Sequence, residues 1–180
     1  MKILHYISDF SLPSETFIYD LIRNLEGSEV ENYILTHKRQ LEKERPFLNV
    51  KVISEKVPFV KKVYFKLFDN WSIRNSKEIL AYINDLRPDI IHAHFGPNGI
   101  KIYNLIKKYN LKINLIISFH GMDINVLPNQ DKKYLHNILK INDDKNVLFT
   151  SPSEFLKSKM LKLGLHEKKI EVIYTTYSFM

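Results

Sequence analysis

Short apolar runs alternate with longer amphipathic stretches along this chain, and the rhythm predicts its elements. Met1–Ser8 alternates and reads as a first strand. Glu15–Glu26 carries Phe17, Ile18, Leu21, Ile22 and Leu25 at helical spacing, and Gly27 ends it. Val30–Thr36 and Val50–Ser54 read as short strands on either side of the charged stretch Lys38–Arg45. Lys61–Leu86 predicts one long or two broken helices, with Ile79, Leu80, Ile83 and Leu86 on one face. Ile90–His94, Leu115–Phe119, Val147–Thr150 and Ile170–Tyr174 read as strands, with helices predicted over Ile100–Tyr109 and Lys132–Ile141. The best-signed helix start is Ser151-Pro152-Ser153-Glu154: Ser151 serves as cap, Pro152 takes the first helical position and Glu154 the third. Leu156, Met160 and Leu163 then share a face, and Gly164 closes the helix.

About seven strands joined mostly through helices predict an α/β fold. The architecture expected is a Rossmann-like, doubly wound parallel sheet with right-handed crossovers covering both faces. At 180 residues the chain makes one domain, expected over 1–174, with 175–180 as a tail.

In such sheets ligands collect at the carboxyl ends of the strands, where the winding direction reverses. Two neighbouring strands there end alike. Asp89-Ile-Ile-His-Ala-His-Phe-Gly-Pro-Asn-Gly and Leu115-Ile-Ile-Ser-Phe-His-Gly-Met-Asp each deliver a histidine followed closely by glycine. His94, Gly96, His120, Gly121 and Asp123 are therefore candidate site residues. His92 lies two residues before His94, on the same face of its strand, and suits a core role. In the common strand order, strand one feeds Ser14, Glu15 and Thr16 into the same crevice. Ser14 also suits a helix cap, and Asp123 a turn.

Composition excludes several chemistries. There is no cysteine, so neither disulfide nor thiolate chemistry is available. Five glycines include no G-x-G-x-x-G or P-loop pattern, and no G-x-S-x-G elbow occurs. The N-terminal apolar run turns polar at Ser8, too soon for a signal peptide. No stretch reaches the ~18 apolar residues of a spanning helix. A cytoplasmic location is expected. His92 and His94 could begin a metal site, and a metal-dependent hydrolase would use His92, His94, His120 and Asp123. However, His5, His37, His136 and His166 do not sit at strand ends that could add ligands, so no metal is expected.

A net charge of +7 and a pI near 9.4 suit an anionic partner or simply solvated lysine faces. Lys56–Trp71 mixes lysines with aromatic and aliphatic residues and could lie on an anionic membrane surface, or pack as an ordinary helix. Nucleic acid is not an expected partner, because the aromatics fall in apolar stripes rather than on a basic strand face.

Four segments, in order and across nearly the whole chain, resemble one known family. They are Pro13-Ser-Glu-Thr-Phe-Ile18, Ile91-His-Ala-His-Phe-Gly96, Phe119-His-Gly-Met-Asp123, and Ser151-Pro-Ser-Glu-Phe-Leu with Leu163-Gly and Lys169-Ile-Glu-Val-Ile173. The chain resembles the N-terminal, acceptor-side domain of GT-B glycosyltransferases of family 4, in the bacterial exopolysaccharide or colanic-acid-type branch. The resemblance implies transfer of a sugar from a nucleotide-diphosphate donor to a glycan or lipid-linked acceptor. Configuration would be retained, with no essential metal and no cofactor beyond the donor. His120 would be the catalytic residue reaching the donor sugar, and Ser14, Glu15 and Thr16 would line the cleft. Many members carry a glycine pair in that loop; here Ser-Glu-Thr leaves phosphate contact to helix N–H groups and hydroxyls. The family's nucleotide-binding residues belong to a second Rossmann domain, a C-terminal half or second chain with no candidate in these 180 residues. The isolated chain is therefore expected to be inactive, and a lipid-linked acceptor would make peripheral contact with the inner face of the cell membrane useful. The other class left open is a non-catalytic binding module that kept the fold.

Overall fold

The first strand, β1 (Lys2–Phe10), sits in the middle of the sheet, and its interior residues from Ile3 to Ile7 are buried. The computed structural model describes residues 1–27, 29–53 and 71–174. After β1 come α1 (Thr16–Asn24), β2 (Glu31–Arg39), β3 (Val50–Val52) and α2 (Ser76–Leu86). Then follow β4 (Ile90–His94), α3 (Gly96–Lys108), β5 (Asn114–Ser118), and the short helices α4 (Met122–Asn125) and α5 (Leu127–Gln130). Helix α6 (Lys132–Asn142), β6 (Val147–Ser151), α7 (Glu154–Lys162), a 3-10 turn at Glu167–Lys169 and β7 (Ile170–Val172) complete the fold.

The strands form one sheet in the order β3-β2-β1-β4-β5-β6-β7, and every pair is parallel. This is the predicted doubly wound, Rossmann-like arrangement, with the winding reversed between β1 and β4. Side chains alternate between faces along each strand, so register decides which residues share a face. Leu4, Tyr6, Leu35, Ile91, Ala93, Leu115, Ile117 and Phe149 belong to the larger core, with Ile79 and Ile83 of α2, Ile100 of α3 and Ile138 of α6. On the other face Ile7 and Ile34 pack with Ile18 and Ile22 of α1 and with Phe47. Each fully buried aliphatic chain stabilises the fold by about 1.5–3 kcal/mol.

Three helix starts differ from expectation, the first being α3, which begins at Gly96, four residues ahead of Ile100. Ser14 is not the cap of α1: Glu15 holds that position, with no side-chain cap bond, while Ser14 is exposed. Similarly, α7 is capped by Ser153, whose Oγ accepts from the Leu156 N–H at 3.2 Å. Ser151 remains in β6, registered with Val172, and its carbonyl accepts from the Ile173 N–H at 2.9 Å, so Pro152 precedes the helix. Helix α1 also closes at Asn24, three residues before Gly27. Of the stretch Lys56–Trp71, all but Trp71 lies outside the described residues, as does the tail 175–180. Trp71 packs against Tyr134, with ring centroids 5.7 Å apart. Among the described residues no helix is long and apolar enough to cross a membrane.

Candidate active site

Beside the reversal of winding, β4 and β5 deliver a row of imidazoles to one face of the sheet. His5 of β1 is registered with His92, and His94 with Ser118. His120, two residues past Ser118, continues that face to the carboxyl edge. The rings follow one another closely. His92 stacks on His94 at 4.3 Å, His5 on His94 at 5.4 Å, and His94 lies nearly parallel to His120 at 5.6 Å.

Hydrogen bonds tie these rings into a line. Asn32 Oδ1 meets His5 Nε2 at 3.1 Å, His5 Nδ1 meets His94 Nε2 at 3.1 Å, and His94 Nδ1 meets His120 Nε2 at 3.4 Å. A side branch runs from His92 Nε2 to Ser118 Oγ at 2.6 Å and on to Thr150 Oγ1 at 2.5 Å. His5, His92 and His94 are buried, and His120 alone reaches partway to solvent. Burial penalises the charged imidazolium. It pulls His5 and His120 down to about 4, the Asn32 bond opposing it at His5. His92 and His94 lie well below the ordinary value, through burial first and then through the neighbouring imidazoles. All four rings are neutral at pH 7.

Asp123 locks the two strand-end turns to each other. Its Oδ1 accepts from the His120 and Gly121 N–H groups and its Oδ2 from the Gly96 N–H, each at 3.0 Å. Burial raises the Asp123 carboxyl, and these backbone donors oppose the rise. Asp123, which is 1% exposed, therefore shapes the turns that present His120. Gly121 has φ +118°, in the region that favours glycine. Gly96 is needed for space: a methyl there would overlap the Tyr134 hydroxyl and lie 2.8 Å from Phe119 Cε1. Gly96→Ala is expected to cost about 1–3 kcal/mol by overpacking. Gly27→Ala, which meets nothing within 4 Å, is the neutral control. Denaturant midpoints of the two variants check the difference.

The loop before α1 reaches the site through its neighbour rather than through its own side chains. Ser14 is exposed, while Glu15 and Thr16 are half-buried. Burial raises the Glu15 carboxyl, and Asp9 adds to the rise. Phe17, one residue on, lays its ring 4.9 Å from His120. Phe95 meets His120 edge-on at 4.7 Å, from a backbone with φ 71° and ψ 140°. A bulky residue costs about 1–3 kcal/mol in such a conformation. The strain is held by backbone bonds: the Phe95 N–H donates to Ser118 O at 2.8 Å, and its carbonyl accepts from the Gly99 N–H at 3.0 Å.

His120, His94, Gly96, Gly121 and Asp123 thus converge, and His92 joins the buried cluster expected of it. Asn32, His5, Phe17 and Phe95 are additions. The hint in the sequence is a histidine and an asparagine beside the apolar residues of β1 and β2. His5 corrects the expectation that it could add no ligand beside His92 and His94: ligand-type nitrogens of the three all lie within 4.8 Å of one another. The hydrolase set fares differently, because both Asp123 oxygens are engaged by backbone N–H groups.

Residues 14–177 match the family model described as Glycosyltransferase Family 4. No sequence among curated proteins matches the chain. Among solved structures, Alr3699/HepE from Anabaena in complex with UDP-glucose superposes with a TM-score of 0.71 at 13% identity, covering 98% of this chain and 44% of that one. A glycosyltransferase from Rickettsia africae gives 0.63 at 20% identity, covering 96% and 42%. A putative UDP-N-acetylglucosamine 2-epimerase from Listeria monocytogenes gives 0.61 at 13%, covering 94% and 43%. The chain spans less than half the length of each of these proteins, and at such identities the likeness is one of fold.

Proposed function

Because this chain belongs to glycosyltransferase family 4, we propose that it forms the acceptor-side wall of a nucleotide-sugar-dependent, retaining glycosyltransferase. The observation that carries the reading is the meeting at His120 of three separate segments: Phe17 from the first turn of α1, Phe95 after β4, and the His120-Gly121 turn after β5. All three lie at the carboxyl edge beside the reversal of winding, where this fold class binds its ligands. His120 contacts the sugar being transferred. Ser14, Glu15 and Thr16 line the cleft, and His94, Gly96, Gly121 and Asp123 hold the wall in shape.

The donor is a nucleotide-diphosphate sugar, a reading supported by the fold shared with a protein in complex with UDP-glucose. The acceptor is a glycan or a lipid-linked sugar of a surface polysaccharide, and the net charge of +7 favours an anionic acceptor or membrane surface on the cytoplasmic side. Lys56–Trp71 suits that contact by its composition. Residues 1–174 constitute the domain, and a donor-binding Rossmann domain closes the cleft from the other side. Transfer depends on positioning and charge stabilisation across both walls.

The test is transfer of labelled sugar from a panel of nucleotide-diphosphate sugars. The chain alone should show no turnover; joined to a donor-binding domain of the same family it should transfer sugar. His120→Ala in the joined enzyme should then lower the rate by about 10²-fold or more. Robust turnover by the chain alone would refute the half-cleft reading, and an unaffected His120→Ala enzyme the role of that residue.

A further inference from the structure

The hydrogen-bonded line from Asn32 to His120 has only two self-consistent arrangements of protons. A neutral imidazole donates from one nitrogen and accepts at the other, so the choice made at one end propagates to the next ring. If Asn32 presents its oxygen, His5 donates from Nε2 and accepts at Nδ1. His94 then donates from Nε2 and accepts at Nδ1, and His120 donates from Nε2. If Asn32 presents its amide nitrogen instead, every ring is reversed and His120 carries its proton on Nδ1.

A carbonyl decides between them. Asn32 Nδ2 lies 3.4 Å from the carbonyl oxygen of Ile22, in the last turn of α1. Helix ends leave such carbonyls without an intrahelical i+4 partner. A carbonyl can only accept, so the amide nitrogen faces Ile22 and the oxygen faces His5. From this we propose that Asn32 acts as a positioning residue, fixing through His5 and His94 the Nε2–H tautomer of His120, so that Nδ1 at the rim carries a lone pair. His120 Nδ1 has no hydrogen-bond partner among the described residues. The rim thus offers an acceptor, and the group it recognises is a hydroxyl or N–H donor of the ligand. Resting on the reading above, that group is a hydroxyl of the transferred sugar.

The experiment reads tautomers directly and needs no turnover, so it stands or falls apart from the sugar-transfer reading. Imidazole ¹⁵N spectra of the full chain at neutral pH should show His5, His94 and His120 each as a single Nε2–H tautomer. His120 in the Nδ1–H form would overturn the proposal, whatever any variant does. Asn32→Leu removes the anchor and should shift His120 from one tautomer to a mixture; a folded N32L protein with an unchanged His120 signal would also overturn it. Zinc added to the unsubstituted chain should leave the spectra unchanged. Loss of the His5 and His94 N–H signals on zinc addition would overturn the proposal, replacing the hydrogen-bonded line by a buried metal site of His5, His92 and His94.

Discussion

Acidification from about pH 8 should unfold this protein before its carboxylates are neutralised, with the steepest loss of stability between pH 6.5 and 4. His5 and His120 fall from 6.5 in a free chain to about 4 in the fold, and His92 and His94 also lie well below 6.5. The sign follows from proton counting. Below 6.5 the unfolded chain binds protons on these imidazoles that the folded state excludes, so stability rises with pH through this window. It is complete above 6.5 and drains away as pH falls. Each such histidine contributes a slope of about 1.4 kcal/mol per pH unit, and four together about 5. Against a typical total of about 5–15 kcal/mol, that slope suffices to unfold the domain within the window. Denaturant midpoints measured across the range check it. His120→Gln should lower the slope by about a quarter, and a midpoint that stays flat down to pH 4 would refute the expectation.

The second large effect belongs to Asp123→Ala. Removal of the carboxylate strands the N–H groups of Gly96, His120 and Gly121, each of which now donates at 3.0 Å. An unsatisfied buried donor costs about 1–3 kcal/mol; with water entering the space left behind, the total should be about 3–5 kcal/mol. Asp123→Asn keeps one acceptor oxygen and should lose roughly half as much. Equilibrium unfolding gives the losses. Amide exchange at Gly96, His120 and Gly121 should quicken together in the alanine variant. A destabilisation below about 1 kcal/mol would mean that other groups hold the turns.

Periodicity was enough to recover the sheet. Strand β4 runs over Ile90–His94 as read from the sequence, and the order places β1 beside β4 as the doubly wound pattern requires. Helix starts were less legible. Ser151 and Ser153 both satisfy capping chemistry, and β7 decides between them: the Ile173 N–H takes the Ser151 carbonyl that a cap would give to the first helical turn, while the Ser153 carbonyl accepts from the Lys157 N–H. Ser14 and Glu15 present the same ambiguity without any local signal. The interior of the site was hidden for a different reason. His5 opposite His92 is a matter of register between strands far apart in sequence, and no local pattern encodes it. The rim was legible because histidine and glycine at a strand end combine reactivity with a turn, whereas Phe17 looked like one more member of an apolar stripe. The line of imidazoles behind the rim arises only when β1, β4 and β5 come into register.

The carboxylate that joins the turns after β4 and β5 also governs how this wall can move. Gly96 is the first residue of α3, and the same Asp123 side chain holds both that helix's leading N–H and the backbone of His120. The two turns and α3 therefore translate as one block, like the fixed jaw of a vice. Any change of shape at this edge falls instead to the segment between β1 and α1, where Glu15 makes no side-chain cap. In mechanical terms, this corner of the sheet is the anvil.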